Sequence, residues 1–181
     1  MGQLNSLQSS VFAFMKQFVA RQAIVLNAMQ DLRPDIVMRL ENRVDPKRWA
    51  ELRLEYSRKP QIGNWGANGE WTYFFHGDGC KLVHRETGER IQWDAGDLNE
   101  FNLDWFVDYL QWRLEQTDDN VDVKTVRSAL NYPDLINNDA GVENFNQRLK
   151  MREEILPILE QLSEKGLLIG NAQRTHYTLI I

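Results

Sequence analysis

The sequence has a single cysteine, five prolines and three histidines among its 181 residues. One thiol, Cys80, leaves no internal disulfide to staple the chain. Stability must therefore come from a packed core, and the composition fits a reducing cytoplasm. No apolar run reaches the roughly 20 residues that a membrane-spanning helix needs. The most apolar stretch, residues 11–29, is broken by Lys16, Gln17, Arg21, Gln22 and Asn27, and no basic segment leads into it as in a secretory leader. GxGxxG, P-loop, HExxH and GxSxG patterns are all missing, which removes the familiar nucleotide, zinc-peptidase and serine-hydrolase signatures. No cofactor is expected.

What is present is globular. A hydrophobic share of 43% is enough for one core, or one core with an appendage. The formal net charge of −5 points away from nonspecific nucleic-acid binding, but its distribution says more. Residues 94–122 carry nine acids (Asp94, Asp97, Glu100, Asp104, Asp108, Glu115, Asp118, Asp119 and Asp122) against the single base Arg113. That segment sums to about −8 and leaves the remainder at about +3. The acidity is local.

Residues 69–94, GEWTYFFHGDGCKLVHRETGERIQWD, hold the densest strand signal. Trp71 to Phe75 is aromatic and β-branched, with Trp71, Tyr73 and Phe75 on one face and Thr72, Phe74 and His76 on the other. Large apolar groups on both faces predict an inner strand covered on both sides. Gly77 and Gly79 flank Asp78 where a tight turn or bulge belongs, and Gly88 closes a second turn at Glu86-Thr87-Gly88. The expectation is a three-stranded antiparallel meander over 70–94.

The motifs HGDGCKLVH, TGE, IQWD and FNLDWFVDYLQWRL, about a quarter of the chain, resemble an uncharacterised family of small bacterial proteins. Its pattern is aromatic-HG-x-G-(C/V), a TGE turn, an acidic or Trp-Asp strand end and an aromatic helix. Members are associated with polymorphic toxin systems as immunity proteins. The resemblance implies a partner-binding role and transfers no catalytic residue.

In chain order, Leu7, Val11, Phe14, Phe18, Val25, Met29 and Leu32 fall near helical spacing, which predicts a long amphipathic helix over 6–31 capped by Asn5 or Ser6. Pro34 opens a short helix to Glu41. Asp45-Pro46 starts a third, with Trp49, Leu52 and Tyr56 inside; Lys47, Arg48, Arg53, Arg58 and Lys59 alternate with Glu51 and Glu55 on a solvated face. Residues 60–69 read as a loop in which Trp65 is either folded back as a plug or held out as an interface anchor. Asp97 to Gln116 reads as an acidic aromatic helix, half buried, with Asp104 and Asp108 one turn apart and Trp105 between them. Residues 117–122 form a polar connector. A short helix over 123–130, a longer one over 142–165 with a kink or restart at Pro157, and a hairpin over 167–180 complete the chain. The domains expected are an α+β core over 1–116 and a helical segment over 123–181, able to pack with the first as one domain.

Helix, helix and hairpin at the C-terminus resemble the end of a winged helix, where the last helix reads DNA. Segment 123–181 has seven bases and seven acids, without the basic footprint that reading requires. His76, Asp78, Cys80 and His84 look like metal ligands, yet Cys80 and His84 stand about 13 Å apart by strand rise alone. No metal site is expected, and no catalytic set. Cys80 with His76 lacks an oxyanion hole, and His176 is remote in sequence.

The reading is an α+β fold with N-terminal helices on a small antiparallel sheet and a winged-helix-like C-terminal segment. The function expected is an immunity protein that occludes a cognate toxin bearing a basic surface. Asp94, Asp97, Asp104 and Asp108 would steer the partner, with Trp65 or Trp105 as anchors. The alternatives are a small hydrolase using His76 and a carboxylate, and a winged-helix regulator.

Overall fold

The computed structural model describes residues 3–41, 47, 65–66, 68–116, 119–130 and 140–180. The chain divides into two compact units, Phe18–Phe101 in one and Met1–Gln17 with Asn102–Ile181 in the other. The expected helix from Asp45 lies outside the described residues, except for Lys47.

Helix α1 (Ser6–Leu32) contributes to both units. Asn5 and Gln8 begin it reciprocally: Gln8 N–H donates to Asn5 Oδ1 at 2.8 Å, and Asn5 N–H donates to Gln8 Oε1 at 3.1 Å. This is a capping box, which satisfies two amides that the helix start leaves open. Within the Phe18–Phe101 unit, α1 delivers Val25, Leu26, Ala28 and Met29 to the core. Helix α2 (Pro34–Glu41) follows after Arg33 and adds Ile36 and Val37. Proline at its first position loses no intrahelical bond. Arg33 lies 2.7 Å from Asp35, and their hydrogen bond pulls the Asp35 carboxyl down to about 2.

The meander consists of β1 (Trp71–His76), β2 (Gly79–His84) and β3 (Arg90–Trp93), antiparallel in the order β1–β2–β3. Its register sets Phe75 opposite Cys80 and Cys80 opposite Trp93, with Leu82 opposite Ile91. Opposed residues share a face, and this face is the buried one: Trp71, Cys80, Leu82, Ile91 and Trp93 join the helical residues and Leu98 in one core. Full burial of a side chain such as Leu82 or Ile91 stabilises by roughly 1.5–3 kcal/mol.

The expectation of β1 as an inner strand is corrected. Among the described strands β2 is the middle one and β1 an edge, and Phe74 on its outer face is 56% exposed. The first turn needs only two residues. Gly77 has φ +60° while Asp78 keeps a negative φ, the type II′ pattern that suits strand twist. Arg39 of α2 holds this turn through Asp78 at 2.6 Å.

Strand β4 (Glu100–Asn102) lies where the chain passes from one unit to the other. Helix α3 (Leu103–Glu115) is shorter than expected because Asn102 caps it, its side chain accepting from the amides of Asp104 at 2.9 Å and Trp105 at 3.3 Å. Asn120 does the same for α4 (Val121–Ala129), so that helix starts inside the polar connector. Arg127 of α4 donates to the Leu114 carbonyl of α3. Helix α5 (Ala140–Glu164) continues through Pro157, so of the kink or restart expected there the restart does not occur. It ends in a Schellman motif: Gly166, at φ +77°, donates to Ser163 O at 3.0 Å, and Leu167 donates to Leu162 O at 3.1 Å.

The C-terminal hairpin is β5 (Leu168–Gly170) and β6 (His176–Leu179), and the second sheet has the order β4–β6–β5. Phe106, Leu110 and Leu114 of α3, Val123 and Val126 of α4, Ile155, Leu159 and Leu162 of α5, and Leu168, Tyr177 and Leu179 of the hairpin are buried. The architecture is α+β. A boundary at 117–122 would group α3 with the meander; the compact units instead group it with α4, α5 and the hairpin.

Candidate partner-binding site

Two of the four acids expected to steer a partner sit in the loop after β3. Trp93 turns into the loop and donates its indole N–H to the Gly96 carbonyl at 3.0 Å, which holds Ala95 at φ +61°. Asp94 is half buried there and Asp97 is exposed. Asp97 shapes its own surroundings: its carboxylate accepts from Asn99 N–H at 2.8 Å, and its carbonyl accepts from Glu100 N–H at 2.9 Å. From α1, Gln22, only 2% exposed, donates to the carbonyls of Leu98 at 3.1 Å and Glu100 at 2.9 Å. Buried carbonyls without such partners would be costly. The loop that carries Asp97 is thus pinned from beneath at two points.

The other two acids, Asp104 and Asp108, share one face of α3, and α5 answers both. Arg152 Nε lies 3.0 Å from Asp104 Oδ1, and Arg148 Nη2 lies 2.9 Å from Asp108 Oδ1. Arg148 Nε also donates to Gln111 at 3.2 Å. Asp104 is exposed, so its pair is screened by water; Asp108 is buried while Arg148 is 41% exposed, so their pair is screened less. Trp105 between them is half buried. The sequence displayed these acids as a run but gave no sign of their partners, which lie 48 residues on for Asp104 and 40 for Asp108. Arg148 and Arg152 are four apart on a helix, a spacing that matches Asp104 and Asp108.

Trp65 is half buried against the core of the Phe18–Phe101 unit, and a parallel bridge pairs it with Trp71. Gly66 N–H donates to the Trp71 carbonyl at 3.2 Å. Of the turn glycines, Gly88 has φ +73° and closes the second hairpin through a 3.0 Å bond to the His84 carbonyl. Gly79 lies buried opposite His76.

A family model described as a domain of unknown function (DUF6896) matches residues 11–178. The chain belongs to that family. No curated protein and no solved structure matches it.

In this DUF6896 domain two of the groups that could do chemistry differ in exposure. His76 is exposed on the edge strand. Cys80 is fully buried, and burial pushes its thiol up to about 12, the opposite of what a nucleophilic cysteine needs. Among the described residues no group of three or more His, Cys, Asp or Glu side chains could hold a metal ion, and no helix is long and apolar enough to cross a membrane. Helix α5 would be the DNA-reading helix of a winged fold. Its three described bases all face acids of the same chain, since Lys150 lies 4.0 Å from Glu154. Phosphate contacts would have to break those pairs.

Proposed function

We propose that this domain is a protein-binding module, most concretely a bacterial immunity protein that acts inside the cell and occludes a cognate toxin with a basic surface. The observation that carries the reading is the concentration of about eight net negative charges in residues 94–122, with exposed Asp97 on a loop braced by buried Gln22. A fixed negative patch raises the encounter rate with a cation and sets its orientation, and salt weakens it. Exposed Asp97 leads the steering, with Asp94 in the same loop. Asp104 and Asp108 contribute less, because Arg152 and Arg148 compensate their charge. The resemblance of the HGDGCKLVH, TGE and IQWD motifs to toxin-associated proteins supplies the partner class.

The test is co-expression and pull-down with the product of the neighbouring gene, followed by association kinetics at several salt concentrations. Asp94→Asn with Asp97→Asn should slow association several-fold and flatten its salt dependence. Asp104→Asn should change it less. If no partner is captured, or if the double variant associates at the original rate with the original salt slope, the reading is overturned.

A further inference from the structure

We propose that the cleft between residues 68–70 and the β2–β3 turn receives a single arginine or lysine side chain of a partner protein. The inference rests on the protein-binding reading and deepens it. Among the described residues the cleft is lined by Asn68, Gly69, Glu70, His84, Arg85 and Glu86 and measures about 230 Å³. That is below the roughly 300–1,000 Å³ of pockets that enclose whole small molecules, and suits one inserted side chain.

The hydrogen bonds of its walls decide which charge it takes. An anion site needs free amide donors, and here those of Gly69, Arg85, Glu86 and Thr87 are committed within the chain. Gly69 N–H donates to Gly66 O at 3.2 Å and Arg85 N–H to Glu70 O at 2.9 Å. Glu86 and Thr87 N–H both donate to His84 Nδ1, at 3.2 and 3.3 Å. The Arg85 guanidinium donates one N–H to the Gly66 carbonyl at 2.5 Å, which clamps the loop, and its charge offsets one of the two carboxylates. Acceptors remain. Glu70 and Glu86 are exposed carboxylates, and neither forms an ion pair with another described residue. Two carboxylates line the cleft against one guanidinium, so it offers carboxylate oxygens to a donor-rich cation. Charge-assisted bonds to a guanidinium are the strong class, and arginine is a frequent anchor of protein interfaces.

The test uses the full chain, ¹⁵N-labelled, titrated with N-acetyl-arginine amide and watched by NMR. Its uncharged isostere, N-acetyl-citrulline amide, and inorganic phosphate serve as comparison probes. Saturable shifts at residues 68–70 and 84–88 are expected with the arginine probe. Citrulline should bind at least tenfold more weakly, and phosphate should leave these residues unmoved. Glu70→Gln with Glu86→Gln should weaken arginine binding at least tenfold. Equal binding of citrulline, a phosphate response, or undiminished binding by the Glu70/Glu86 variant would overturn the inference. A partner captured at full affinity by that same variant would also overturn the cleft, while leaving the protein-binding reading standing.

Discussion

The imidazole of His84 meets the indole of Trp71 edge to face, with ring centroids 4.8 Å apart at 88°, across the register pair that joins β1 to β2. The same ring accepts the amides of Glu86 and Thr87 and so caps the turn into β3. His84→Ala removes both roles and should cost about 2 kcal/mol. His84→Phe keeps the ring contact, loses the acceptor and should fall between the two. Urea unfolding midpoints check the order.

Gln22 fixes the carbonyls of Leu98 and Glu100 from a buried position. Gln22→Leu has similar bulk but leaves those acceptors without their donor, and about 1–3 kcal/mol of stability should be lost. Amide hydrogen exchange over residues 96–100 should accelerate in that variant. Unchanged protection would mean that the loop is held by something else.

Gly170 faces Tyr177 across the C-terminal hairpin. A Cβ at residue 170 would lie 2.7 Å from the tyrosine ring, closer than real contacts allow. Gly170→Ala should therefore destabilise by about 1–3 kcal/mol, as overpacking does, despite the exposure of this residue. A lowered thermal midpoint checks it.

Cys80 is protonated in the folded state well past its ordinary 9.0, up to about 12. A group whose pKa is raised on folding stabilises below the unfolded value and loses that contribution as pH rises through the folded one. Between about pH 9 and 12 the contribution should fall by at most about 1.4 kcal/mol per pH unit. Cys80→Ala should remove that part of the slope. Tyr177, also raised by burial, adds a loss of the same sign above pH 10. A disulfide reagent at pH 8 should label Cys80 only as the core around it opens.

The sequence carried the meander openly because its turns are written in residues that few other structures use. Gly77-Asp78 and Glu86-Thr87-Gly88 fix where β1, β2 and β3 begin and end. The long first helix and the C-terminal hairpin were equally plain, the latter through Gly166 at the helix end. Strand β4 was hidden. Glu100, Phe101 and Asn102 looked like the first turn of an aromatic helix, and only the cap at Asn102 separates strand from helix. The edge position of β1 was hidden too, since aromatic side chains on both faces say nothing about which neighbour pairs. In the candidate site, acids could be counted from the sequence but their compensation could not. Arg148 and Arg152 reach Asp108 and Asp104 by tertiary packing, which no local pattern encodes.

Those two pairs join in opposite chain order, 104 with 152 and 108 with 148, each step four residues along its helix. A slide of α5 along α3 by one turn, about 5.4 Å, would keep one pair at most and leave the other acid facing a residue of the wrong kind. The ladder thus acts as an alignment key, penalising any antiparallel register that separates the two pairs.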